Sequence, residues 1–202
     1  MERSCTYKYD KEGNLIDEIW FKGDGKRWTQ HKYTYNKSGL RTEMASFNAD
    51  GTLWSWHQYE YNDDDRIVLD ITLDGSGSLW GKHVYVYDTN GKLVEDALYK
   101  ANGALGSQYI YRYDERGNMS EETWHKEDGT VWWREMHHYN TNAQRIMSDR
   151  YDDAGGLWGK QIYRYESHGN RTVWERFRIE KSLGKDVVTI SGATEFRYTY
   201  WE

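Results

Sequence analysis

Three kinds of residue with chemistry to offer recur along this chain at a fixed spacing of 26 residues. Histidines stand at His31, His57 and His83. Carboxylates recur as Asp17/Glu18, Glu43, Asp70, Glu95/Asp96 and Glu121/Glu122, and tryptophans as Trp28, Trp54, Trp80, Trp132 and Trp158, with Trp56 and Trp133 beside them. Histidines in series suggest a metal site, paired carboxylates suggest glycoside hydrolysis, and a tryptophan row suggests a surface that stacks sugars or anchors a protein. Repetition weighs against the first two. A catalytic pair is needed once, whereas these carboxylates return in nearly every unit, so pairing with Lys or Arg across strands, or simple solvation, is expected.

The spacing also says which elements must carry these residues. Tyr7/Tyr9, Tyr33/Tyr35, Tyr59/Tyr61, Tyr85/Tyr87, Tyr111/Tyr113, His137/Tyr139 and Tyr163/Tyr165 mark the start of seven units: 7–32, 33–58, 59–84, 85–110, 111–136, 137–162 and 163–188. A fixed period without insertions is the signature of a repeat architecture. Within each unit two glycine positions recur. Gly13, Gly39, Gly91 and Gly117 follow an Asp or Asn by three residues, and Gly25, Gly51, Gly77, Gly103, Gly129 and Gly155 mark the second position. Such pairs make hairpin turns, in which the Asx side chain caps the loop and glycine supplies a positive φ.

Two turns per unit leave two strands. Strand A runs from position 21 of one unit through position 3 of the next, as in Leu53 to Tyr61, and strand B from position 9 to 15, as in Leu15 to Phe21. No helical periodicity competes. The sequence therefore predicts an all-β fold: tandem antiparallel β-hairpin repeats in one continuous twisted, rolled sheet, an open roll or solenoid, formed by a single domain over residues 1–202. Eight A and seven B strands are expected, the last A strand ending at Tyr198–Trp201. The seventh unit is degenerate, with an insertion and a C-terminal cap over 178–202.

Alternation along strand A puts Leu53, His57, Tyr59 and Tyr61 on one face, the expected core, and position 22 on the other. There the five tryptophans form a ladder at about 10 Å intervals, two strand spacings apart, broken by Gly106 and Gly184. The same spacing separates the three histidines, too far to share a metal ion held at about 2 Å, and a stacked hydrogen-bonding ladder continued by Tyr109 is the reading adopted. His137 and His138 are neighbours that face opposite ways. Asn62-Asp63-Asp64-Asp65 lacks the spaced ligands of a calcium loop. No cofactor or metal is implied.

Composition narrows the classes further. With 16% aromatic residues, 18 Tyr and 11 Trp, a mean hydropathy of −1.04 still permits a thin folded core, because each aromatic ring buries a large area. The 27 Lys+Arg are scattered among 33 Asp+Glu for a net charge of −6, which offers no basic face to nucleic acid. A lone cysteine, Cys5, excludes an internal disulfide. No apolar leader or membrane-spanning stretch is present, so as written the chain reads as cytoplasmic, or as secreted if it is a fragment.

The segments YKYDKEGNL (7–15), YVYDTNGKL (85–93) and YRYDERGNM (111–119) resemble the YD repeat of the bacterial Rhs family, with its Tyr-x-Tyr-Asp-x-x-Gly core. The resemblance spans nearly the whole chain, although the unit is longer and carries an added DG-x-L-W segment. It implies β-hairpin strips that act as a shell around a toxin or as interaction modules, with no catalytic residues of their own. MORN repeats are a weaker second likeness. The reading adopted is a non-enzymatic scaffold for protein–protein interaction, of a kind associated with bacterial toxins. The alternative is a carbohydrate-binding module using the tryptophan ladder, and the distant one a glycoside hydrolase. The partner is then a protein or a glycan, with no nucleic acid and no membrane insertion.

Overall fold

The computed structural model describes residues 3–182 and 185–197. Its elements are fifteen strands: β1 (Ser4–Tyr9), β2 (Leu15–Phe21), β3 (Arg27–Tyr35), β4 (Arg41–Phe47), β5 (Leu53–Tyr61), β6 (Ile67–Asp74), β7 (Leu79–Tyr87), β8 (Leu93–Lys100), β9 (Leu105–Tyr113), β10 (Met119–His125), β11 (Val131–Tyr139), β12 (Arg145–Asp152), β13 (Leu157–Tyr165), β14 (Arg171–Ser182) and β15 (Lys185–Glu195). They form one antiparallel sheet in chain order, with no helix among the described residues. The ladder is not closed, since β1 and β15 each have a single neighbour.

The repeat length follows from the parts. A strand of nine residues, a loop of five, a strand of seven and a second loop of five make up the unit from Arg27 to Thr52. In the loop after β3, the Asn36 N–H donates to Leu40 O at 2.9 Å and the Gly39 N–H to Asn36 O at 3.0 Å. The Asn36 side-chain oxygen accepts from the amides of Ser38 and Leu40. Such a loop needs a left-handed residue in fourth place. Gly39 supplies it at φ 80, and the two loops without glycine use Asp65 at φ 61 and Ala143 at φ 58. The Asn62–Asp65 segment is thus an ordinary turn, its Asp64 carboxylate bound by Arg66 at 2.7 Å.

Each return strand also carries an extra residue just inside the loop. Ser46 pairs with Ser55 but Phe47 with Leu53, so Trp54 has no opposite number and forms a β-bulge. The same shift leaves out Trp28, Trp80, Trp132 and Trp158. On the B strands it leaves out Ile16, Thr42, Val68 and Val94 in the same way.

A second repeated device joins neighbouring hairpins. The hydroxyls of Tyr35, Tyr61, Tyr87, Tyr139 and Tyr165, each the second aromatic residue of its pair, donate to the carbonyl of a residue twenty positions earlier, at the start of the preceding B strand. Tyr35 reaches Leu15 O at 2.7 Å, Tyr61 reaches Arg41 O at 2.6 Å and Tyr87 reaches Ile67 O at 2.9 Å. Tyr139 and Tyr165 repeat the bond to Met119 O and Arg145 O, each at 2.8 Å. The bond satisfies a carbonyl beside the bulge, where ladder pairing is interrupted. It explains why tyrosine holds this place.

The sheet divides into two compact units, Met1–Gly106 and Ser107–Glu202. In both the core is thin: Ala97 and Tyr163 are the buried hydrophobic residues among those described, and the other buried side chains are polar, such as Ser46, Ser55, Glu135, His137 and Ser148. The second unit ends in a long hairpin. There β15 occupies residues that the sequence reads as an insertion, because the β-branched run Val187-Val188-Thr189-Ile190 extends the ladder against a prolonged β14. The final strand expected at Tyr198–Trp201, and Gly184, lie outside the described residues.

Candidate functional site

The tryptophan row is held by the bulges. Trp28, Trp54, Trp80 and Trp132 are exposed, at 44%, 56%, 49% and 49%, while Trp158 is half-buried. Expected about 10 Å apart, Trp54 and Trp80 instead lean together with ring centroids 6.0 Å apart and planes at 79°, an edge-to-face pair. Arg3 lies 4.7 Å over the Trp28 ring. Trp56 belongs elsewhere: it is paired with Ala45 and Leu73 and faces the opposite side from His57.

The expectation that position 22 stands opposite the histidine and tyrosine face needs correction. Tyr109, Trp124 and Trp133 are directly opposed across three strands and so share a face. The Trp132 ring centroid lies 4.1 Å from that of Trp124. Likewise Arg150, paired with Glu135 on this same face, sets its guanidinium 5.4 Å from the Trp158 ring. The bulge breaks the strict alternation on which the expectation rested, and it turns these two tryptophans toward the face that carries the histidines and tyrosines.

In the first unit that face is a ladder of paired histidines. His31 Nδ1 meets Ser46 Oγ at 3.0 Å, His57 Nδ1 lies 3.3 Å from Asp70 Oδ1 and His83 Nδ1 lies 2.9 Å from Asp96 Oδ1. His57 stacks on Tyr59 and His83 on Tyr85, with planes 12° and 15° apart. Position-12 carboxylates therefore serve histidine and tyrosine rather than Lys or Arg: Glu18 accepts from Tyr33 Oη at 2.9 Å and from Trp20 Nε1 at 2.9 Å. Burial, and after it the charge of Asp96, pushes the Tyr85 hydroxyl up to about 12. Tyr85 therefore stays protonated at neutral pH, and Tyr33 acts as a donor to Glu18.

The second unit fills the corresponding places differently. Glu135, 5% exposed, is ion-paired through Oε2 with Arg150, whose Nε donates at 2.9 Å, while Gln161 Nε2 donates to Oε1 at 3.4 Å. Arg150 lies between two indoles, 5.1 Å from the Trp133 ring and 5.4 Å from that of Trp158. Gln161 Oε1 accepts from Tyr163 Oη and Trp174 Nε1, both at 3.0 Å. His137 Nδ1 meets Ser148 Oγ at 2.9 Å, and burial followed by the charge of Arg145 pushes its imidazole below the ordinary value of 6.5.

Glu122 is directly opposite Glu135, so here two carboxylates face one another. Burial, and then the charge of Glu135, raises the Glu122 carboxyl above its usual range. Glu135 is nevertheless closed to substrate: it is buried, and Arg150 and Gln161 engage both its oxygens. Elsewhere the adjacent carboxylates point to opposite faces, as Asp17 opposes Lys32 while Glu18 opposes His31. They cannot flank one glycosidic bond. Among the described residues no group of three or more His, Cys, Asp or Glu is arranged to hold a metal ion.

No family model matches the sequence, and no curated protein matches it. Solved structures align with it distantly. A porin-like protein from Bacteroides uniformis aligns with a TM-score of 0.49 and 11% identity over 92% of this chain and 87% of its own. The Photorhabdus luminescens Tc holotoxin pore aligns at 0.24 and 11% identity, and a TcdB2-TccC3-Cdc42 structure at 0.24 and 10%. This chain spans 14% and 16% of those two toxin chains.

Proposed function

We propose that this chain is a non-enzymatic β-hairpin scaffold of the YD-repeat kind, working in a toxin-associated context, that binds a protein partner through the tryptophan row of its first unit. The observation that carries this reading is the exposure of Trp28, Trp54 and Trp80 on consecutive bulges of a regular ladder. Indoles exposed at 44% to 56% contribute little to a core. Their large area and single donor suit them as anchors in a partner's pockets, where a few Trp, Tyr and Arg residues supply most of the binding energy. The edge-to-face packing of Trp54 and Trp80 favours a protein over a glycan here, because it leaves no run of parallel ring faces for successive sugars. The YD-like sequence core supports the scaffold role, and the structural duties of the carboxylates support the absence of catalysis.

The test compares wild type with Trp54→Ala/Trp80→Ala in affinity capture and on a glycan array. One protein retained by wild type and lost by the variant, with unfolding temperature nearly unchanged, is the expected result. A glycan response that vanishes in the variant would instead assign the row to carbohydrate.

A further inference from the structure

A cleft of about 340 Å³ opens in the second unit between Trp132, Trp133 and Trp158, with Arg150, Asp152 and Asp153 completing its wall. Its construction differs from the row in the first unit. Trp133 and Asp152 are directly opposed on one face, Arg150 and Glu135 form the adjoining pair, and Gly159 stands opposite Arg150 on the other strand. A glycine there puts no side chain across from Arg150, and the bulge beside it delivers Trp158. Apolar ring faces and polar groups thus converge on one concavity, at the small end of the range of about 300–1,000 Å³ typical of small-molecule sites.

We infer that this cleft is a binding site for a neutral saccharide, taken as a ring stacked on indole. Three features select that class. Indole faces match the C–H face of a pyranose, and Trp132, half exposed, offers one. Vicinal hydroxyls need acceptors and donors close together, and Asp152, Asp153 and the guanidinium edge of Arg150 line the same wall. The charge balance excludes the other candidates. Arg150 is neutralised by Glu135 and is already the cation between Trp133 and Trp158, so a second cation has no vacant cage there. At the mouth Asp153 is ion-paired with Lys126 at 3.6 Å, and the charge of Asp152 repels an acidic sugar.

Asp152 has a second duty, since its Oδ1 accepts the turn amides of Ala154 and Gly156 at 3.1 and 2.7 Å. Asparagine performs that capping in the Asn36 and Asn62 loops, so Asp152→Asn keeps the turn while removing the charge.

The site is tested by titrating the full chain with a panel of neutral hexose oligosaccharides and a matched uronic-acid panel, reading heat and tryptophan fluorescence. At least one neutral oligosaccharide should bind and shift the fluorescence. Trp132→Ala and Asp152→Asn should each weaken that binding at least about ten-fold with unfolding temperatures close to wild type, while Trp54→Ala/Trp80→Ala leaves it unchanged. No binding to any neutral member, binding confined to the uronic acids, or affinity undiminished in both cleft variants would overturn the assignment. Because the two sites share no residue, loss of either leaves the other standing.

Discussion

Where the first unit has His57 and His83, diagonally beside Asp70 and Asp96, the second has Glu135 at the corresponding place, directly facing Arg150. The backbone is the same in both: five-residue loops, bulged return strands and tyrosine tethers. What differs is how much charge the face carries and how deeply. The first unit spreads partly exposed pairs evenly, while the second sets a guanidinium stacked between two indoles in the wall of a cleft and pairs it with a buried carboxylate behind. A repeat can therefore keep its hydrogen-bond framework and alter its chemistry by exchanging one side chain on an A strand together with its facing or diagonal neighbour. The evenly paired unit presents a row, and the concentrated one presents a concavity.

Removing one partner of each pair should separate the two units most strongly. Arg150→Met leaves Glu135 buried and unpaired, which costs about 3–5 kcal/mol. Asp70→Asn in the first unit leaves a half-buried histidine near Thr72 Oγ1, and its cost should be about 1 kcal/mol. Urea unfolding of the two variants checks the ratio, and equal losses would mean that the units do not differ in the way described.

Next in size is the turn. Gly51, at φ 91, and Gly129, at φ 79, serve one unit each. Valine at either should cost about 2–3 kcal/mol, since a β-branched residue is strained in the left-handed region. Thermal unfolding left unchanged in both variants would contradict the loop geometry. In the opposite direction, Ala143→Gly should stabilise by about 1 kcal/mol.

Smaller still is the tether, which the two units share. Tyr61→Phe and Tyr165→Phe should each cost about 1 kcal/mol in chemical denaturation, one carbonyl losing its donor in each. A clear inequality would show that the tether is not a common framework.

The smallest effect is the pH dependence that His137 and Glu122 bring to the second unit. The folded-state pKa of His137 is depressed, so on acidification the unfolded chain takes up its proton first. Its contribution to stability is whole above about 6.5 and is lost as pH falls through the lower folded value. Glu122 works in reverse, because its raised carboxyl favours the folded state at acid pH and loses that advantage as pH rises through its folded value. His137→Gln should flatten the loss of stability below pH 6.5, measured as unfolding midpoint against pH, and a slope identical to wild type would count against a buried neutral imidazole.

Much of this arrangement can be read from the residues alone. Glycine spacing and the Tyr-x-Tyr pairs place β3, β5, β7, β9, β11 and β13 at the residues observed, because a turn that needs both an Asx cap and a left-handed residue leaves little freedom in where strands begin. The bulges are harder to see. An extra residue in a strand has no composition of its own, and its effect is to cancel the period-two argument locally, which is why Trp132 and Trp158 lie nearer the histidine face than alternation implies. The His83–Asp96 pair was equally hidden, since it is a diagonal contact that depends on register. The cleft required Gly159 and a bulge to coincide beside Arg150. One signal for it was present: the doubled tryptophan at 132 and 133 occurs in no other unit.

The proposed binding surface is tested most directly by the affinity of a protein retained in capture for wild type and for Trp54→Ala/Trp80→Ala, measured with both chains shown to be folded. Truncating two anchoring indoles should cost at least about 2 kcal/mol, a drop in affinity of about thirty-fold or more. An affinity unchanged within two-fold would contradict the claim that the bulged tryptophans of the first unit are its binding surface.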